Sequence, residues 1–144
     1  MMQKVCFDSG IFGIYFGKEV TDKKKVIQVF EGSLSNKYEI HVLKPVLTEV
    51  FYHLCLKKGK NYAASKILSI KEIYPLVQIS LDDDLINRTG QLKCQNRKNL
   101  SYIDCMSISY CMLNNIQFHT TEKKLKQIPI PLIDKLKVVT YNWD

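Results

Sequence analysis

The amino-acid sequence predicts an α/β fold, a three-layer α/β/α arrangement around a central parallel sheet. Two observations carry this expectation. Short β-type runs recur along the chain, each separated from the next by helix-length segments, as crossovers between parallel strands require. Helix start and stop signals mark several of the intervening segments. With 144 residues, 46% hydrophobic and 24% charged, the composition is that of one globular domain spanning 1–144 with a proper core.

The elements follow in order. Residues 3–8, "QKVCFD", form a short β-type run that ends at an acid. A helical region runs from Ile11 to about Ser35, with Gly17 as a point of interruption. "EIHVL" (39–43) is β-like, and Pro45 then stands where a first helical turn tolerates it, opening a helix through Leu56. Gly59 closes that helix, and "NYAASKILSI" reads as the next. "LVQIS" (76–80) is a strand, and "DDD" (82–84) supplies an N-cap for a helix reaching about Cys94. The segment 102–113 is apolar or small apart from Asp104, and reads as a helix buried on every side that stops at Asn114-Asn115. "IQFH" (116–119) and "LKVVT" (136–140) complete the strands.

Lys and Arg outnumber Asp and Glu by 21 to 14, a formal net charge of +7. So basic a small domain suits a polyanionic partner, either nucleic acid or an acidic protein segment. The five cysteines are odd in number, form no C-x-x-C pair, and several lie in apolar runs. This argues against a zinc site or a disulfide framework and fits buried thiols in a reducing cytosol. The N-terminus lacks the apolar length of a signal peptide, and no apolar run approaches the roughly 20 residues needed to cross a bilayer. A soluble cytoplasmic protein is expected.

Ligands of open α/β sheets bind beyond the carboxyl ends of the strands. Asp8 ends the first strand, and Glu122 follows the "IQFH" strand by three residues. Glu49 and Asp104 lie in the early turns of crossover helices, whose N-termini share that edge. Four acids distant in sequence are thus expected to converge. Clustered carboxylates repel one another, and burial raises their pKa values; a hard divalent cation relieves both effects. Oxygen donors without His or Cys partners suit Mg²⁺ or Mn²⁺, and the implied chemistry is metal-assisted phosphodiester hydrolysis.

Each acid also has a plain structural reading. Ser101-x-x-Asp104 is a capping box. Glu49 suits a solvated helix face, and His53, one turn on, is read as structural or peripheral. Glu122 follows Thr120 and Thr121 and suits a helix N-terminus. Asp8 is the hardest to explain without function, because an acid closing a buried strand is costly. The runs "KKK" (23–25), "KKGK" (57–60) and "KKLK" (123–126) are solvated faces by default, and the last adjoins the expected pocket. Lys93, Arg97 and Lys98 precede the Asp104 helix as candidate phosphate contacts, whereas His41 and His119 are read as structural.

With these positions in place, the chain resembles the PIN-domain nucleases, particularly the VapC-type toxins of toxin–antitoxin pairs. The resemblance runs through "VCFDSG", the Glu of "PVLTEVFYHL", "GQLKCQNRKNLSYIDCMSISYCMLNN" and "IQFHTTEKKL". Gly90, Ser101 and Asp104 match the family's order of a Gly, a short basic stretch and a Ser-x-x-Asp helix start. The resemblance implies a PIN-like fold, Mg²⁺ or Mn²⁺ at the acidic pocket, and endonucleolytic cleavage of RNA. It implies Asp8 and Asp104 as direct or water-bridged metal ligands, and Glu49 as a residue positioning metal or attacking water. Ser9 and Thr120 or Thr121 match the family's supporting hydroxyls. Glu122 stands where the family more often has Asp, one methylene shorter, so its reach to a second ion is through water. A small antitoxin partner and a homodimer are also implied. The alternative is a catalytically weak PIN-like domain that binds RNA or a partner without cutting.

Overall fold

The computed structural model describes residues 2–18, 20–123, 125, 128 and 135–143. Five strands, β1 (Gln3–Phe7), β2 (Tyr38–Leu43), β3 (Val77–Ile79), β4 (Gln117–Thr120) and β5 (Val138–Thr140), form one sheet in the order β3-β2-β1-β4-β5. Every pairing is parallel. Among the described residues, six helices lie between β1 and β4: α1 (Ser9–Phe16), α2 (Lys23–Leu34), α3 (Lys44–Lys58), α4 (Lys60–Ile73), α5 (Asp83–Gln95) and α6 (Tyr102–Asn114). The chain steps outward from β1 to β2 and β3, then returns to the other side of β1 through α5 and α6. Helix α1 packs against both α2 and α3, and α3 against α4, as one group, and α5 packs with α6 as another. Right-handed crossovers of opposite direction put these groups on opposite faces of the sheet. The expected three-layer architecture is present.

Local sequence explains the elements. Val5, Cys6 and Phe7 of the central strand are all buried, since both faces are covered. Phe7 meets Phe12 and Phe30 edge to face at ring-centroid separations of 6.0 and 5.2 Å, which adds to the stabilisation from burial. Pro45 sits in the first turn of α3. Gly59, at φ +88, turns the chain between α3 and α4 in a backbone region L side chains rarely adopt. Asn115 closes α6 in the left-handed conformation, φ 52.

The interruption expected at Gly17 is present: α1 ends there, and α2 begins at Lys23 with Asp22 at its N-cap position. One expectation needs correction. Helix α6 is not buried on every side: Cys105, Ser107, Ile108, Ser109 and Cys111 are buried, whereas Tyr102 and Leu113 are exposed. Its apolar sequence reflects one covered face and small residues on the sheet side. No helix among the described residues is long and apolar enough to cross a membrane.

Candidate active site

The chain reverses its direction of travel across the sheet at β1, and the crevice beyond the carboxyl ends of β1 and β4 lies at that switch point. Asp8 stands there. Its backbone N–H extends the β1–β4 ladder by donating to the His119 carbonyl at 3.1 Å. Its carboxylate caps α1, with Oδ1 accepting from the Ile11 N–H at 3.3 Å. Oδ2 accepts a short hydrogen bond from the Thr120 hydroxyl at the end of β4. Thr120 Oγ1 in turn accepts from the Glu122 N–H at 2.9 Å, which fixes the chain as it leaves the strand.

Asp104 opens α6 within a reciprocal capping box. Its N–H donates to Ser101 Oγ at 3.1 Å, and its Oδ2 accepts from the Ser101 N–H at 3.4 Å. Glu49, in the second turn of α3, accepts a short bond from the Ser9 hydroxyl of α1. All four acids line one pocket of about 530 Å³, together with Ser9, His53, Lys93, Arg97, Lys98, Ser101 and Trp143. Each element delivers its acid for a simple reason: β1 and β4 end at this edge, and α1, α3 and α6 begin at it.

The electrostatics follow from crowding. Burial pushes the Asp8 carboxyl up to about 7; the nearby Asp104 charge acts the same way, and the bonds from Thr120 and Ile11 only partly oppose it. Burial also raises Asp104, against the Ser101 bonds, with Glu122 and Glu49 adding repulsion. Among the described residues, no three His, Cys, Asp or Glu side chains are gathered tightly enough to enclose an ion by themselves. The acids surround open volume instead. Their all-oxygen donor set and mutual repulsion fit a hard divalent cation completed by water.

The sequence-based site is brought together almost whole. Asp8, Ser9, Glu49, Asp104, Thr121 and Glu122 all reach the pocket lining, and Thr120 is buried behind it against Asp8. His53, read as peripheral, also lines the pocket. Lys93 is recast. Its ammonium donates to the carbonyls of Arg97 at 2.8 Å and Leu100 at 2.6 Å, and lies 5.3 Å from the Tyr102 ring centroid. It staples the loop that carries Arg97 and Lys98. His41 bonds Glu39 and Tyr110, and His119 bonds Gln117 and Tyr141, as structural residues do. Asp82 caps α5 as expected. Of the basic run 123–126, Lys124 and Lys126 lie outside the described residues.

Trp143 was missed in the sequence. It follows the last strand run by three residues, as Glu122 follows "IQFH", so the carboxyl-edge rule places it at this edge without showing that its ring reaches the pocket.

The model of the PIN domain family matches residues 5–131. This chain belongs to the PIN domain family. A comparison with curated proteins returns no match. Solved structures similar to this PIN domain include VapBC2 from Rickettsia felis bound to a promoter DNA fragment. It has 18% identity and a TM-score of 0.71, covering 97% of this chain and 100% of that one. A second is a sarcin–ricin loop cleaving VapC toxin of Mycobacterium tuberculosis, at 12% identity, TM-score 0.65 and coverage of 97% and 91%. A third is DNA-bound VapBC from Salmonella typhimurium, at 15% identity, TM-score 0.68 and coverage of 96% and 98%. At such identities the likeness is one of fold. The PIN domain here therefore has a VapC-like fold.

Proposed function

We propose that this chain is a Mg²⁺- or Mn²⁺-dependent endoribonuclease, the toxin of a toxin–antitoxin pair. The observation that carries the reading is the convergence of Asp8 and Asp104, both with raised carboxyl pKa values, in one open pocket with Glu49, Glu122, Arg97 and Lys98. Without a counter-ion, such crowding only destabilises the fold. Asp8 and Asp104 would hold the cation, which supplies Lewis-acid stabilisation of charge developing on a phosphoryl group. Thr120 and Ile11 fix the orientation of the Asp8 carboxylate. Ser9 fixes Glu49, whose carboxylate orients and accepts a proton from the attacking water. Glu122 completes the acidic wall. Arg97 and Lys98 engage the RNA backbone, on a loop held by Lys93.

An antitoxin partner belongs to the same reading, supported by similar solved structures that are toxin–antitoxin complexes. An acidic pocket open to solvent suits a basic side chain from such a partner. A homodimer is proposed with it.

The test is cleavage of end-labelled RNA in Mg²⁺ or Mn²⁺, beside chelator and beside Asp8→Asn and Asp104→Asn. Cleavage should require the metal and disappear in both variants. Full cleavage by a folded Asp104→Asn protein would remove that residue from the mechanism. A folded wild type that binds RNA but neither binds divalent cation nor cuts would make it a binding domain.

A further inference from the structure

One residue on the pocket rim has no place in the chemistry of the carboxylates. Trp143, the single tryptophan of the chain, lines the pocket with Asp8, Glu49 and Glu122 while remaining 44% exposed. A large ring left half in solvent forfeits much of its burial energy, yet its position is tightly fixed. The Tyr141 N–H donates to the Thr120 carbonyl at 2.9 Å, and the Tyr141 hydroxyl shares a 2.7 Å hydrogen bond with buried His119. The Asn142 N–H donates to the buried Asp22 carboxylate at 2.6 Å. The backbone is thus anchored up to the residue preceding Trp143. Gly13 of α1 provides the seat: a Cβ there would stand 2.3 Å from Trp143 Cη2 and 3.1 Å from Cζ3. Any side chain at Gly13 would displace the ring.

We propose that Trp143 is a stacking platform for an unpaired base of the RNA strand whose phosphate occupies the acidic pocket. The identity of the strand rests on the nuclease reading above. A strand entering the pocket by its phosphate presents its bases at the rim, where the exposed ring is held. Arg97 and Lys98 on the same lining favour a polyanion over an acid-poor protein segment. Base–aromatic stacking tolerates any base but requires an unpaired one, so the platform selects single-stranded RNA without selecting its sequence. Trp143 is in this sense a positioning and specificity residue.

Because the chain has one tryptophan, its fluorescence reports on the platform directly. Wild-type protein in Ca²⁺, an oxygen-seeking cation that neutralises the carboxylates, is titrated with a fluorophore-free oligoribonucleotide that a gel shows to stay intact, while the anisotropy of a labelled copy measures binding separately. The expected result is fluorescence quenching that tracks binding for the single strand and is absent for the same sequence as a duplex. In Mg²⁺, Trp143→Ala should raise KM about tenfold or more with kcat nearly unchanged, and Trp143→Phe should recover most of the loss. A merely structural ring would lower the melting temperature without this split. RNA binding without quenching, no RNA binding, or an unchanged KM in Trp143→Ala overturns the proposal. So does a fluorescence response to a partner protein but to no RNA. Quenching by RNA that wild type never cuts leaves the platform standing and overturns the nuclease reading instead.

Discussion

Asp8→Asn should stabilise the metal-free protein while abolishing its proposed activity. The Asp8 carboxyl rises from 3.8 to about 7 on folding, chiefly through burial. The unfolded chain therefore releases this proton near pH 4, and the folded protein near pH 7. Between those values the unfolded state binds fewer protons, so stability falls as pH rises. The stabilisation from a neutral Asp8 is fully present below about pH 4 and lost above about pH 7. At about 1.4 kcal/mol per pH unit, the loss is roughly 4 kcal/mol. Asparagine has the same shape, and its amide oxygen can still accept from the Ile11 N–H. In chelator at pH 8 the variant should exceed wild type by up to about 4 kcal/mol, a melting shift on the order of 10 °C for a chain of this size. The gain should shrink toward zero at pH 4. Added Mg²⁺ should raise the wild-type melting temperature at pH 8 and leave the variant unmoved. Thermal unfolding followed by circular dichroism at pH 4, 6 and 8 measures all of this. Equal melting temperatures at pH 8 in chelator, or a gain that grows on acidification, would refute the burial argument for Asp8.

Three further outcomes can be measured. Gly10→Ala would set a Cβ 1.9 Å from Thr121 Oγ1 and 2.9 Å from both Thr121 Cβ and Cγ2, so no rotamer change relieves it; urea unfolding should show a loss of about 1–3 kcal/mol. Ser101→Ala removes one half of the capping box and should cost about 1 kcal/mol, while also weakening metal binding by loosening the turn that holds Asp104. Burial lowers the His119 imidazole to about 4, so its ring protons should show no titration by NMR between pH 8 and pH 5. Since the unfolded ring binds its proton near 6.5, His119 should withdraw roughly 3 kcal/mol of stability as pH falls from 6.5 to 4.

Much of the fold was legible because strands and helices alternate and carry local signals that tertiary structure did not override. Pro45, Gly59, Asp82 and Asn115 each act locally, and each sits where its backbone preference places it. The four acids could be gathered from sequence because parallel topology assigns strand ends and helix starts to one edge. What escaped depends on longer-range geometry. The break between α1 and α2 was legible at Gly17, but its extent to Lys23 was not, because Lys23 Nζ reaches back to the Gly17 carbonyl at 2.6 Å and no turn signal marks that contact. The engagement of Lys93 with two loop carbonyls follows from how α5 meets α6, and charge alone suggested phosphate. Trp143 reaches the pocket only because β5 pairs beside β4 and because Gly13, 130 residues earlier, lacks a side chain.

The two central acids are each a helix cap as well as a proposed ligand, and this resolves the conflict between stability and chemistry. Asp8 accepts from the first turn of α1, and Asp104 sits in the first turn of α6 with its own box. Helix N-termini carry partial positive charge and unpaired N–H groups, so they lower the cost of holding carboxylates close together. That offset is incomplete, since burial still holds both carboxyls above their ordinary values. The residual repulsion is the driving force available to a cation. It also dictates how the site should be probed. Alanine at either position removes cap and charge together, so a lost activity could reflect a loosened helix start. Asparagine keeps the cap acceptor and removes only the charge. If Asp104→Ala and Asp104→Asn lose metal binding equally while only the alanine variant loses stability, the cap and the ligand are separable functions of one side chain. If both variants lose stability alike, the charge itself holds the α6 turn, and Asp104 is first a structural residue.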